Sequence, residues 1–119
     1  MILVDTSVWI NHFREGNRRL HDLLLEGEVA CHPFVIGELA CGNLKNRTEI
    51  LELLQSLPQT RNVSLEEVLA LIDGRDLQGK GIGLIDIHLL ASALVSQTRF
   101  WTEDKRLKEI ALKLKLASQ

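Results

Sequence analysis

Residues 2–10 read Ile2-Leu3-Val4-Asp5-Thr6-Ser7-Val8-Trp9-Ile10. An unbroken apolar run closed by a carboxylate is how a strand buried on both faces reads. Thr6 or Ser7 can then cap a helix that carries Trp9, Ile10 and Phe13. A short buried strand leading directly into a helix is the opening unit of a parallel α/β sheet.

The same alternation continues outward from this unit. Asn17 is placed to cap a helix whose apolar face is Leu20, Leu23 and Leu24, with Gly27 at its end. Val29-Ala30-Cys31 is a second short strand. Pro33 suits the first turn of a helix through Phe34, Val35, Ile36, Leu39 and Ala40, with Gly42 as its stop. Asn46 and Glu49 have capping-box spacing, and Ile50, Leu51, Leu53 and Leu54 form the apolar face that follows, with Pro58 just past the end. Ser64 and Glu67 repeat that spacing, flanked by Val63 and Val68 as a hydrophobic staple. This helix is expected to reach about Asp73, before Gly74, and to resume through Leu77. Gly79, Gly81 and Gly83 make a flexible loop before a long apolar helix from Leu84 to Gln97. Arg99-Phe100-Trp101-Thr102 is a third strand, and Asp104 to about Lys115 a last helix. Strands this far apart in sequence exclude hairpins and predict a parallel sheet with helices on both faces. No internal repeat, linker or low-complexity tract divides the chain, so a single domain over residues 1–119 is expected.

Composition bounds the function. At 119 residues, 45% apolar and 25% charged, the chain has material for one core. The N-terminus has no basic segment followed by a long apolar one, and the longest weakly charged stretch, Ile87 to Thr98, falls short of the about 20 residues that span a bilayer. These features predict a cytoplasmic protein without a membrane partner. Cys31 and Cys41 are expected to be reduced thiols in the core, and with His32 they lack the paired spacing of a zinc site. The net charge of −2 is opposite in sign to that of a general nucleic-acid binder.

Four acids sit where acids are not expected. Asp5 ends the first strand, and Asp104 follows the last. The carboxyl ends of parallel strands share one edge of the sheet, so these two can converge. Glu38 and Asp86 lie within apolar helical segments and have no basic residue three or four positions away. Carboxylates in such surroundings are costly to desolvate without a partner. A divalent cation with hard oxygen ligands, Mg²⁺ or Mn²⁺, would relieve their mutual repulsion. A pair of such ions about 3.5–4 Å apart can activate a water and stabilise the leaving oxygen of a phosphodiester. Each acid also has a structural role open to it. Asp5 and Asp86 could cap helices, Asp104 could complement a helix dipole, and Glu38 could face solvent.

These segments resemble the PIN-domain ribonucleases, and among them the VapC-type toxins of bacterial toxin–antitoxin pairs. ILVDTSVWI is similar to the first strand and first acid, GELACG to the segment with the second acid, GIGLIDIHLLASAL to the helix with the third, and FWTEDKRL to the strand and turn with the fourth. The resemblance implies a three-layer α/β/α domain around a short parallel sheet. It also implies a Mg²⁺- or Mn²⁺-dependent endoribonuclease that cuts structured RNA, typically transfer or ribosomal RNA. A homodimer and a cognate VapB-like antitoxin come with it. By position, Asp5 and Asp86 become the main metal ligands, Glu38 and Asp104 complete the site or hold a water, and Thr6, Ser7 and Thr102 are supporting polar residues. With four carboxylates neutralised the overall charge turns mildly positive, and Arg14, Lys45, Arg47, Lys80, Lys105 and Arg106 become candidates for RNA-backbone contacts. His12, His21, His32 and His88 match no required position. Trp9 and Trp101 are read as packing residues rather than stacking platforms. A Mg²⁺-dependent phosphatase would need a second acid close behind Asp5, where Thr6 and Ser7 stand instead. A non-catalytic PIN-like RNA-binding module would have lost site acids, and all four are present.

Overall fold

A computed structural model describes residues 1–118. Three strands form one parallel sheet: β1 (Ile2–Val4), β2 (Val29–Ala30) and β3 (Arg99–Trp101), in the order β2-β1-β3. Ile2 is in register with Val29 and Arg99, and Leu3 with Ala30 and Phe100. The central position of β1 explains its unbroken apolar run, because Leu3 and Val4 are fully buried.

Both rims of the sheet are extended by single bridges. Cys31 pairs with Gln59 and Phe100 with Ala117, each in parallel. The Cys31 N–H donates to Pro58 O and its carbonyl accepts from the Thr60 N–H, both at 2.8 Å. On the other rim, the Phe100 N–H donates to Leu116 O at 2.8 Å, and its carbonyl accepts from the Ser118 N–H at 3.0 Å.

The helices are α1 (Thr6–Glu15), α2 (Arg18–Leu25), α3 (Pro33–Ala40), α4 (Arg47–Ser56), α5 (Leu65–Arg75), α6 (Leu84–Ser96) and α7 (Lys105–Lys113). From β1 the chain crosses to β2 on one side, and from β2 it crosses back past β1 to β3. Right-handed crossovers in opposite directions place the connecting helices on opposite faces, giving the expected α/β/α layering. After β3 the chain moves outward again, through α7 to residues 116–118. The connections therefore diverge at the carboxyl ends of β1 and β3, where open α/β sheets form their ligand crevice.

The core joins Leu3, Val4, Trp9, Leu89, Leu90 and Phe100 around the sheet. Burying each Leu or Val contributes roughly 1.5–3 kcal/mol. A second cluster of Val63, Val68, Ile87 and Ala91 locks α5 onto α6. The box that starts α5 forms as read: Ser64 Oγ accepts from the Glu67 N–H at 3.1 Å, and Glu67 Oε1 accepts from the Ser64 N–H at 3.3 Å.

Several local expectations are corrected. Helix α5 runs through Gly74 to Arg75 and closes at Asp76, where φ is +52° and the N–H reaches Ile72 O. A helical glycine costs about 1 kcal/mol relative to alanine, which packing on α6 offsets. Asn46 does not form a capping box. Its backbone is left-handed, with φ +54°, and its side chain makes no cap bond. Its tolerance of that conformation is used to turn the chain into α4. Leu53 faces solvent, leaving Leu54 as the buried residue of α4. Cys31 is buried but Cys41 is exposed, and both are free thiols.

Candidate active site

Asp5 is fixed by the sheet. Its N–H donates to Trp101 O at 2.9 Å, one step beyond the β1–β3 ladder, which sets Asp5 beside Thr102. Asp5 is 5% exposed. Its Oδ2 accepts hydrogen bonds from Ser7 Oγ and Thr102 Oγ1, both at 2.8 Å. Asp5 holds the N-cap position of α1, but its carboxylate does not cap, and neither Thr6 nor Ser7 does. Ser7 Oγ accepts from the Glu103 N–H at 3.0 Å, and Thr102 Oγ1 accepts from the Asp104 N–H at 3.1 Å. The two hydroxyls thus tie the end of β1 to the turn that carries Asp104. The sequence marks Thr102 only as supporting, whereas in the fold it joins the first acid to the fourth.

The other three acids are each held by one oxygen. Asp104 caps α7 through Oδ1, which accepts from the Leu107 N–H at 3.0 Å. Asp86, half-buried near the start of α6, reaches back with Oδ2 to the Gly83 N–H at 3.1 Å. Glu38, exposed on α3, accepts from Thr6 Oγ1 at 2.7 Å through Oε1. Among the described residues, the remaining oxygen of each carboxylate, Asp5 Oδ1, Glu38 Oε2, Asp86 Oδ1 and Asp104 Oδ2, accepts no protein hydrogen bond.

Asp86 feels the charges of two of the other acids. Burial raises the Asp86 carboxyl from its ordinary value, and the charges of Asp5 and Asp104 raise it further, against the opposing Gly83 N–H. Glu38 joins through Thr6, the residue next to Asp5. The cluster is an open one. Among the described residues, no group of three or more His, Cys, Asp or Glu side chains is close enough as it stands to ligate one ion.

The histidines and tryptophans have other duties. His32 caps α3, with Nδ1 accepting from the Phe34 N–H at 2.9 Å, and burial together with the charge of nearby His88 lowers its pKa to about 4. His88 packs edge-on against Phe34, ring centroids 5.0 Å apart. Trp9 stacks on Phe13 at 5.8 Å, and the Arg19 guanidinium lies 4.4 Å above the Trp101 ring. Both indoles are therefore occupied, as read. Of the candidate cations, Arg14 and Lys45 line a cavity of about 860 Å³ that also reaches Glu38. Arg47 donates to Ala40 O at 3.2 Å, and Lys80, Lys105 and Arg106 are exposed.

Comparison with known proteins places the chain in a family. A PIN domain is matched over residues 2–113. The chain belongs to the PIN-domain family. The PIN domain is 53% identical over 109 residues to Ribonuclease VapC32 of Mycobacterium tuberculosis, in strain CDC 1551 / Oshkosh and in strain ATCC 25618 / H37Rv alike. In both cases 91% of this chain and 88% of the relative are covered. That likeness sets it among the VapC-type PIN ribonucleases. A solved structure of FitAB bound to an IR36 DNA fragment contains a chain that superimposes with a TM-score of 0.66 at 18% identity, covering 98% of this chain and 92% of that one. At that identity the likeness speaks to the fold alone. Among the described residues, no helix of the PIN domain is long and apolar enough to cross a membrane.

Proposed function

We infer that this PIN domain is an endoribonuclease toxin that hydrolyses RNA phosphodiester bonds with a divalent ion held by Asp5, Asp86 and Asp104, with Glu38 completing the site. The observation that carries the reading is the shared pattern of the four carboxylates. Each is anchored through one oxygen and keeps the other free at the divergence point of the sheet. Such oxygens are hard donors that suit Mg²⁺ or Mn²⁺, and no soft ligand accompanies them. Mg²⁺ keeps several waters and takes only one or two carboxylates directly, so an open cluster is compatible with it. When bound, the ion supplies an activated water and charge stabilisation at the leaving oxygen of the phosphodiester.

The chain's own groups prepare that chemistry. Ser7 and Thr102 fix the rotation of the Asp5 carboxylate, and Thr6 fixes that of Glu38. Asp86 is disfavoured as an isolated anion by burial and by its acidic neighbours, so its ionised form gains from a nearby dication. The partners follow from the family: an RNA substrate, structured transfer or ribosomal RNA being the expected class, a VapB-like antitoxin that blocks the cleft, and a second copy of the chain in a homodimer.

An RNA cleavage assay tests the reading directly. Cutting is expected with Mg²⁺ or Mn²⁺ and none with EDTA, and Asp5→Asn is expected to abolish it without unfolding the protein. Metal-independent cutting, or full activity of the Asp5→Asn chain, contradicts the assignment.

A further inference from the structure

The loop between α5 and α6 makes one unusually close approach. Gly81 has φ +80°, and a Cβ built on it would lie 2.8 Å from Arg106 Cδ and 3.1 Å from Cζ, and nearer still to Nη1. The aliphatic stem and guanidinium of Arg106 therefore lie directly on the glycine backbone. A side chain at position 81 would strain the backbone at this positive φ and push the Arg106 side chain aside.

In sequence, each side of this contact lies close to an acid. Gly81 is two residues from Gly83, whose N–H holds Asp86 Oδ2, and Arg106 is two residues from Asp104. Asp86 in turn feels the charge of Asp104. A guanidinium flanked by two carboxylate-bearing segments ordinarily pairs with one of them. Arg106 forms no ion pair with the described residues, although it is exposed and always charged. Its side chain rests on the Gly81 backbone while its donors make no ion pair with the described residues, an arrangement suited to an anion arriving from solvent. A phosphate takes the planar fork of an arginine in two parallel hydrogen bonds.

We propose that Arg106, seated on Gly81, is a phosphate-binding residue that grips the RNA backbone beside the Asp86–Asp104 edge and fixes the register of the strand against the acids. This inference rests on the nuclease reading for its substrate. Its contribution is to substrate binding, distinct from the metal-holding role of the carboxylates.

The test uses the full chain, with a fluorescently labelled, mixed-sequence single-stranded RNA oligonucleotide for binding and bulk transfer and ribosomal RNA for cleavage. Binding is followed in EDTA over a series of salt concentrations, and KM and kcat are measured with Mg²⁺. Arg106→Ala is expected to raise KM roughly 10-fold, with a smaller change in kcat, and to lower the slope of log affinity against log salt by about 0.7, the value for one phosphate contact on a single strand. Arg106→Lys is expected to restore the slope but only part of KM, because charge returns without the fork. Gly81→Ala displaces the guanidinium and is expected to resemble Arg106→Ala, with the double variant no worse than either single one. Native KM and salt slope in Arg106→Ala, or additive losses in the double variant, would overturn the proposal. The two Arg106 variants decide the matter even where Gly81→Ala unfolds. Failure of the nuclease reading looks different: the native chain would show no metal-dependent cutting, and the salt slope in EDTA would still report on Arg106.

Discussion

Thr102 Oγ1 donates to Asp5 Oδ2 at 2.8 Å although the two residues are 97 positions apart. The same oxygen accepts from the Asp104 N–H, so one hydroxyl sets the relation between two acids that follow different strands. Thr102→Val keeps the shape and removes both bonds, leaving a buried carboxylate short of a donor. It should destabilise the fold by about 1–3 kcal/mol and lower cleavage on the order of 10–100-fold, the usual effect of losing a group that orients a metal ligand. Thr102→Ser should recover most of both. Denaturant midpoints and initial cutting rates check this, and a Val variant equal to the native protein refutes it.

Asp86 predicts opposite effects on stability and activity. Its carboxyl is raised in the fold, so the metal-free protein loses stability as pH rises through and above the carboxylate range. Asp86→Asn removes that liability while losing a metal ligand. In EDTA at neutral pH its melting temperature should exceed that of the native chain by a few degrees and vary less with pH, while metal-dependent cutting falls on the order of 100-fold or more. A lower melting temperature in EDTA would contradict the electrostatic account.

His32 has the reverse sign. Its pKa is lowered from 6.5 to about 4, so between these values the unfolded chain binds the extra proton. Stability is complete above about pH 6.5 and is lost as pH falls toward 4, by up to about 3 kcal/mol at ~1.4 kcal/mol per pKa unit. Asn can keep the cap to the Phe34 N–H without titrating. His32→Asn should therefore flatten thermal stability between pH 4 and 6.5, whatever its offset at neutral pH. An unchanged slope would show that the acid sensitivity lies elsewhere.

Dications should stabilise the folded chain. A ligand at 100 times its dissociation constant adds about 2.7 kcal/mol by mass action. Melting scans with Mg²⁺ and Mn²⁺ should rise relative to EDTA, and Asp5→Asn should remove most of the rise. Equal shifts in the native and Asp5→Asn chains would place the binding outside the acidic edge.

Much of this was legible in the residues because the deciding signals are local. The run Ile2–Val4 closed by Asp5, the box at Ser64 and Glu67, and the apolar stretch from Leu84 each carry their own physics. The convergence of Asp5 with Asp104 follows from parallel strands alone. What escaped depends on pairing at a distance. Nothing near Gln59 or Ala117 announces a bridge, because the partner carbonyls come from Cys31 and Phe100. Gly74 reads as a helix stop, yet Val68 and its neighbours hold α5 against α6 past it. Asn46 has cap chemistry in its side chain, but its tolerance of positive φ is what the turn uses. Thr102 looked like a lesser polar neighbour because its two partners are separated in sequence.

The bridges at Gln59 and Ala117 have a consequence for handling the protein. A three-stranded sheet is mostly rim, and an uncovered rim invites another chain to add a strand. Leu116, Ala117 and Ser118 occupy the outer flank of β3, so a truncation after Lys115 would leave the Phe100 amide and carbonyl open for intermolecular pairing. Such a shortened chain should clump in a concentration-dependent way even where its acidic edge is intact.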